Sequence, residues 1–490
     1  MQAQEPSRPT NDTSEPLTNS VPGPPTNSTP EPLTNSVPGP STNSTPELPT
    51  NDEPGLSTND TSEPLTNSIP GSPTNSTPEL PINGTPVPPA DARQEWRALF
   101  ASWWQACRAV LPTFLLMRLL LLVLTYFGGI LFNVPNNSSF ALTARTVLYS
   151  WYHWDAPRYL TIASQGYIDQ SYTGFFPLYP VLVHTISLLV HRDILLIGMI
   201  VSNLSFFAAL VVFYRLIAYE FEAETAARSV LFISIFPTAL LFFTAYNTST
   251  LFFLLISCFY LLRRSHWWLA GFVGLLAALT DFIGILLFIV FIYEFTRQYI
   301  VAQSQKTQSL LNLLPLLASL LIPLGTGIYS NALARKGLDR FAFLHPQSTP
   351  SIFAPWTTLA SLFKSITSNS VYSFGGAHGI FELLVIVLFI AALVLCFVGP
   401  VRLTSNQWSF GVFGILLLLF ILIFPTLPGG MQSQYDPIPA LLPASLLFFL
   451  GVIIIGRLGK RTEFSTVYLL FSLPMLAFFL FQLFTAHWTI

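Results

Sequence analysis

From about residue 110 to the C-terminus, long runs of apolar residues alternate with short polar stretches. Runs long enough to approach or cross a hydrocarbon core of ~30 Å fall at roughly 110–132, 194–215, 229–245, 250–263, 267–280, 283–296, 309–330, 379–399, 407–425, 437–456 and 464–485. Inside a bilayer only helices and closed barrels satisfy their own backbone. The pattern therefore predicts an all-α polytopic membrane protein of about eleven transmembrane helices. Three runs between 229 and 280 are short for a full span, so boundaries there are the least sharp. Two long segments, 133–193 and 331–378, break the series.

Composition agrees with this pattern. Hydrophobic residues make up 52% of the chain and charged ones only 9%, against about a quarter charged in ordinary soluble proteins. The formal net charge of -2 is a cancellation. Residues 1–90 carry Glu5, Asp12, Glu15, Glu31, Glu47, Asp52, Glu53, Asp60, Glu63 and Glu79 against the single base Arg8, leaving the remaining 400 residues with an excess of positive charge. With the N-terminus placed inside, the inner loops collect Arg93, Arg97, Arg108, Arg215, Arg228, Arg263, Arg264, Arg297, Lys306, Arg402, Arg457, Lys460 and Arg461. The longer outer loops hold Arg145, Arg158, Arg192, Arg335, Lys336, Arg340 and Lys364. The positive-inside rule then predicts an N-in, C-out topology, with 133–193 and 331–378 outside. No Lys/Arg-dense stripe exists, which excludes nucleic-acid binding as a default.

Residues 1–90 form a separate segment. Four copies of a 16-residue unit occupy 15–78, beginning EPLTNSVPGPPTNSTP. Proline recurs every few positions and large apolar side chains are nearly absent, so the segment is predicted to be disordered. On this topology it is cytoplasmic, out of reach of glycosylation at sequons such as Asn27 and Asn43. The chain opens on polar residues with no signal peptide, so the first apolar run is expected to direct insertion. Cys107, Cys258 and Cys396 are too widely spaced for a disulfide framework or a zinc site.

Chemistry concentrates in the first outer loop, in YSWYHWDAPRYLTIASQGYIDQSYTGFFPLYPVLV from Tyr149 to Val183. Trp151, Tyr152, Trp154, Tyr159, Tyr167 and Tyr172 are the aromatic load of interfacial helices at a membrane–water boundary. Asp155 lies between His153 and Arg158. One reading makes Asp155 a general base among aromatics, with Arg158 or His153 near an anionic substrate group. The other makes it a helix N-cap ahead of Ala156 and Pro157, with Gly166 as terminator.

The run HWDAPRYLTIASQGY, followed by FFPLYP, resembles the PIG-V family of GT-C-class integral membrane glycosyltransferases. The likeness continues through VSNLSFFAALVVFYRL (201–216), IFPTALLFF (235–243) and RRSHWWLAGFVGLLAALT (263–280). It is strongest over 150–290. It implies transfer of mannose, with inversion, from a polyprenyl (dolichyl-type) phosphate donor to a glycolipid acceptor. The family's acidic residue in the first outer loop falls on Asp155, as the base that deprotonates the acceptor hydroxyl. An inverting displacement needs one such carboxylate, and a phosphate leaving group needs charge stabilisation rather than an acid. No cofactor or metal is implied.

The chain departs from the family pattern at three places. Ser249, in Asn247-Thr248-Ser249-Thr250, stands where an acid is expected. Asp281 stands where Thr-Arg-x-x-Gly has its Arg, and Gln434-Tyr435-Asp436-Pro437 replaces an Arg-Tyr pair. Either Arg158, Arg192, His378 or another outer base replaces the missing cations, or the chain does not use that donor. Candidate substrate contacts are His153, Trp154, Arg158, Tyr159, Tyr167, Asp169, Asn247, Asp281, Gln434 and Tyr435, around Asp155 as catalytic base. Asp281 also reads as a helix cap after Thr280. Arg118, within the first span, is expected to pair with an acid or to snorkel. Trp267 and Trp268 read as interface anchors. His345, His378 and His487 show no metal-ligand spacing.

Three functions compete on these residues: a glycosyltransferase, a degenerate homologue that binds glycolipid or protein partners, and a transporter. Transport is disfavoured by the expected absence of broken helices in matching halves. The membrane would be the plasma membrane of a bacterium or the endoplasmic reticulum of a eukaryote. A protein partner is not legible.

Overall fold

The computed structural model describes residues 92–133, 143–303, 310–345, 352–426 and 437–485. The repeats of residues 1–90 lie outside them. The described residues fall in one compact unit, Val87–Ile490. They are helical throughout, with no strand among them: α1 (Ala92–Asn133), α2 (Ala144–Tyr149), α3 (Asp155–Gln165), α4 (Leu178–Val190), α5 (Ile194–Glu220), α6 (Ala223–Ser234), α7 (Thr248–Arg263), α8 (Trp267–Thr280), α9 (Leu286–Gln303), α10 (Leu321–Arg335), α11 (Pro355–Ser368), α12 (Phe374–Phe397), α13 (Trp408–Ile423), α14 (Leu441–Ser445), α15 (Phe449–Leu458) and α16 (Thr462–Phe484).

Seven helices are long and apolar enough to cross a membrane, from Leu99–Phe132 to Thr462–Phe484. Four shorter apolar helices, α4, α7, α8 and α15, join them. The chain is an integral, multi-pass membrane protein. The apolar runs at 250–263 and 267–280 are the 16-residue α7 and the 14-residue α8. Two other expected spans are broken. The run at 229–245 ends its helix at Ser234, ahead of Phe236–Pro237, and resumes as a 3-10 turn at Ala239–Phe242. The run at 437–456 divides into α14 and α15. Proline explains the first break: Pro237 withholds a backbone donor and disfavours the α region in Phe236 before it. The second falls at residues 446–448, three residues past Pro443. The two interruptions meet, with Thr238 Oγ1 3.4 Å from both Leu442 O and Ser445 Oγ. Irregular backbone at this depth is tolerable because protein buries it.

α5 is the central element, packing on α7, α6, α1 and α4, while α8 lies between α7 and α10. A Cβ added at Gly274 would reach 2.6 Å from Ile322 Cγ1. Small residues of this kind let membrane helices approach backbone to backbone. The outward faces are apolar, as at Leu115, Leu119 and Val123 of α1.

The two ends of the bundle differ. One gathers α3, the α4–α5 turn, the starts of α7 and α12, and α14. The other carries the buried ion pairs of Arg263 and Arg297 with Glu220 and Glu294.

Candidate active site

The segment ahead of α3 makes a tight approach. Trp154 has φ 59° and ψ -110°, a left-handed backbone that L-residues adopt at a cost of about 1–3 kcal/mol. Ala156 N donates to His153 O at 3.2 Å, and Tyr246 Oη donates to the same oxygen at 3.1 Å. Asp155 is thus the first residue of α3. The residue in the N-cap position is Trp154, whose side chain makes no cap bond. Ala156, Tyr159, Leu160 and Ala163 turn inward, and Gly166 ends the helix at φ 76°. Only 9% of Asp155 is exposed.

Asp155 shares a cavity with Tyr246, Asn247, Thr248 and Asp281, closed by Ala440, Pro443, Ala444 and Leu447 around α14. The space is about 30 Å³, room for water but not for a sugar. Asn247 Nδ2 donates to Asp281 Oδ2 and to Thr280 O, both at 3.1 Å, and Ile283 N donates to Asp281 Oδ1 at 2.9 Å. Asp281 therefore caps the 3-10 turn Phe282–Ile285 while also facing the cavity. Burial pushes the Asp155 carboxyl up to about 7; Arg158 opposes this and the charge of Asp281 adds to it. Burial likewise lifts Asp281 to about 6, against the bonds from Ile283 and Asn247.

Other candidates surround this pair at different removes. Arg158 is half-buried, its guanidinium carbon 5.5 Å from the centre of the Phe175 ring. His153 is held below its ordinary pKa by burial, which makes it a neutral imidazole rather than a cation. Tyr159 is buried against Phe175 and Tyr179, and its hydroxyl has no hydrogen-bond partner among the described residues. The Trp154 indole nitrogen is likewise unpartnered.

None of these four lines the cavity itself, and Tyr167 and Asp169 are engaged elsewhere. Tyr167 Oη donates to Phe175 O at 2.7 Å, and its ring meets Tyr329 of α10. Asp169 is exposed, its Oδ1 accepting from Ser171 N at 2.7 Å and Ser171 Oγ at 2.6 Å as the cap of a local turn. Ser249, where an acid was expected, donates internally to Phe242 O at 3.2 Å. Gln434, Tyr435 and Asp436, like His487, lie outside the described residues. Among the described residues, no group of three or more His, Cys, Asp or Glu side chains forms a metal site.

Sequence reasoning did not single out Tyr246 or the α14 wall. Tyr246 adjoins Asn247 at the same turn, a signal that was available. The wall was hidden in a run read as one continuous span. Arg118 also differs from expectation: it is buried and, among the described residues, meets no acid. Its Nη2 donates to Phe242 O at 3.3 Å, and its guanidinium lies 4.8 Å from the Phe114 and Phe206 ring centres.

No protein-family model matches the chain, and no curated protein matches it. Similar solved structures do exist. ArnT from Cupriavidus metallidurans, bound to undecaprenyl phosphate, aligns over 76% of this chain and 75% of its own, with 13% identity and a TM-score of 0.43. An oligosaccharyltransferase of Archaeoglobus fulgidus, in complex with Zn and sulfate, aligns over 75% of this chain with 14% identity and a TM-score of 0.34. The chain spans about half of that enzyme's length, 52%. The same enzyme tethered to an acceptor peptide gives the same identity and TM-score over 55% of its length.

Proposed function

We propose that this protein is a glycosyltransferase of the GT-C kind, with Asp155 as general base. In this reading it moves a sugar from a polyprenyl phosphate to a lipid-linked hydroxyl at the membrane boundary. The observation that carries the reading is a buried carboxyl at one end of the bundle, held near neutral pKa in a cavity shared with Asn247 and Asp281. A base with a pKa close to the working pH is the most effective in proton transfer. The PIG-V-like motif HWDAPRYL places its acid at this same residue, and mannose is the sugar that likeness suggests.

The chemistry needs little else. As the acceptor oxygen attacks the anomeric carbon, its proton passes to Asp155 Oδ. The polyprenyl phosphate departs with the electron pair from the opposite face of the sugar, giving inversion. Arg158 is the cation closest in chain to Asp155 and can offset the departing charge. Asp281 raises the proton affinity of Asp155 rather than binding phosphate, since two anions repel. A sugar does not fit the present cavity, so the α14 wall has to yield for substrates to enter. Two backbone donors just ahead of α14 tie that wall to its neighbours: Ile438 N donates to Glu382 Oε1 at 3.1 Å and Ala440 N to Pro425 O at 2.9 Å.

The broken apolar runs are a feature that a transporter would share. The carboxyls with raised pKa values, however, lie at the end of the bundle rather than at its middle. The test is transfer of radiolabelled mannose from polyprenyl-phosphate-mannose into lipid by membranes carrying wild type or Asp155→Asn. Loss of about 10²- to 10⁴-fold is expected. Equal activity in both would remove Asp155 from the base role. Activity in neither, with total lipid extract as acceptor, favours the degenerate homologue.

A further inference from the structure

At the cation-rich end of the bundle a recess opens between the α5–α6 turn, the chain joining α12 to α13, and the α15–α16 turn. It measures about 460 Å³, within the size range of small-ligand sites. Three spans start or stop at its level, at Glu220, Phe397 and Thr462. It therefore lies where the hydrocarbon of a bilayer gives way to headgroups. Arg228, Arg457, Lys460 and Arg461 line it against a single acid, Glu222; neither Glu224 nor Glu463 is part of its walls.

Orienting a span needs only basic residues somewhere in the adjoining loop. Here two of the four cations are built into the recess. Arg228 Nε donates to Gly456 O at 2.9 Å and its Nη2 to Thr225 Oγ1 at 3.2 Å. Arg457 Nη1 donates to Val401 O and Arg402 O, and its guanidinium lies 5.2 Å from the Phe221 ring centre. α6 and α15 touch so closely that a Cβ on Gly456 would collide with Ser229. Neutral carbonyls and a hydroxyl fix the direction of each guanidinium without cancelling its charge. Glu224, 3.5 Å from Arg228, has a side chain 78% exposed, and such a surface pair contributes little. Arg457 Nε and Nη2 have no partner among the described residues and are not sealed from solvent. Lys460 and Arg461 are exposed, and their side chains make no bond among the described residues. Guanidiniums oriented in advance suit phosphate oxygens and need little further ordering to bind them.

We infer that this recess binds a terminal phosphate, a monoester with three free oxygens and about two negative charges at neutral pH. Cations enter from α6, from α15 and from the turn after it, so each oxygen can meet a donor. A diester, with two free oxygens and one charge, leaves part of the excess unmatched. The same group is carried by a lipid such as phosphatidate and by a soluble phosphorylated metabolite; basic pockets at this depth are a recurrent form of lipid-headgroup site. The recess stands at the opposite end of the bundle from Asp155 and does not rest on the glycosyltransferase reading.

Two measurements on the detergent-purified full chain test this. Native mass spectrometry compares dioleoyl phosphatidate with dioleoyl phosphatidylglycerol, and calorimetry titrates glycerol 3-phosphate at fixed ionic strength. A monoester should bind saturably, one per chain, with phosphatidate about fivefold tighter than phosphatidylglycerol, the factor for one more charge met. Glycerol 3-phosphate binding as tightly as phosphatidate assigns the site to a soluble ligand; binding of phosphatidate alone assigns it to a lipid. Lys460→Gln with Arg461→Gln should weaken whichever ligand binds about 30-fold, the factor for two surface cations. Arg340→Gln with Lys364→Gln removes the same charge at exposed positions of the other end and should leave binding unchanged. Equal loss in both double variants, or loss in neither, means bulk charge alone and overturns the proposal. So does phosphatidylglycerol binding as tightly as phosphatidate, or saturable binding of neither monoester, results that need no variant to fold.

Discussion

Asp155 and its neighbours make the sharpest claims at the scale of single residues. Arg158 holds the Asp155 carboxyl down and Asp281 holds it up, within a shift dominated by burial. Removing each should therefore move the pH profile of transfer in opposite directions. Activity should rise with pH as Asp155 ionises through about 7. Arg158→Gln should displace that limb to higher pH and Asp281→Asn to lower pH. Profiles of kcat/KM against pH decide it, and a shift of both variants in the same direction would sink the pairing. Stability should move the other way. The folded protein keeps the Asp155 proton up to about 7, whereas an unfolded chain releases it near ~4. The stabilisation from that proton is complete below about pH 4 and is lost as pH rises through 7. Asp155→Asn has no charge to bury, so it should melt higher than wild type at pH 8, by on the order of a few kcal/mol, with the gap closing toward pH 4. A gap that does not change with pH would refute the buried-carboxylate account. At this scale the sequence carried much of the site. Asp155, Asn247 and Asp281 converge as their positions at helix ends implied, while Asp169 was lost to its own turn because an Asx side chain finds the backbone two residues on before anything distant.

At the scale of elements, apolar runs locate the helices but not their continuity. Hydropathy sums side chains and is blind to backbone geometry, so 229–245 and 437–456 read as spans although Pro237 interrupts the first and the second stops at Ser445 and restarts at Phe449. The consequence is functional, because the second break supplies the wall of the Asp155 cavity. The opposite error occurs in α1, whose spanning helix begins at Leu99, well before the apolar run at 110, since aromatic and basic residues at a helix end do not stop it. What joins the elements at the far end was not visible in the sequence at all. Arg263 of α7 pairs with Glu220 of α5 at 2.5 Å and with Glu294 of α9 at 2.9 Å, and Arg297 meets Glu294 at 2.6 Å. Gln298 donates to the same Glu294 oxygen at 2.7 Å, and Arg263 and Arg297 both reach Asn406 ahead of α13. Glu294 is fully buried. Removing its charge leaves Arg297 without its carboxylate partner and Arg263 with Glu220 alone, a loss of about 3–5 kcal/mol for a buried pair. Glu294→Gln should therefore lower the melting temperature and the folded yield strongly, yet leave the transfer rate per folded molecule near wild type. A selective loss of rate with normal stability would place the cluster in the chemistry instead.

For the whole molecule, the asymmetry of its ends predicts a direction across the membrane. The end with the Arg263–Glu294 cluster also bears Arg228, Arg264, Arg402, Arg457, Lys460 and Arg461. The Asp155 end has fewer cations, spread over longer connections. Loop charges near spans set orientation because basic loops are retained on the cytoplasmic side. The Asp155 cavity should then face the exterior or lumen, and the cation-rich end the cytoplasm. Single cysteines report this directly. Cys258 and Cys396 are buried and Cys107 is only partly accessible, so background labelling is low. Ile168→Cys, at an exposed position past α3, should react with a membrane-impermeant maleimide in intact cells or sealed vesicles of known sidedness. Lys460→Cys, at the turn between α15 and α16, should react only after permeabilisation. The reverse pattern would invert the topology. It would also move the proposed transfer to the cytoplasmic leaflet, where any polyprenyl-phosphate sugar would have to be presented instead. Labelling of both sites before permeabilisation would contradict the odd number of crossings that separates these two turns.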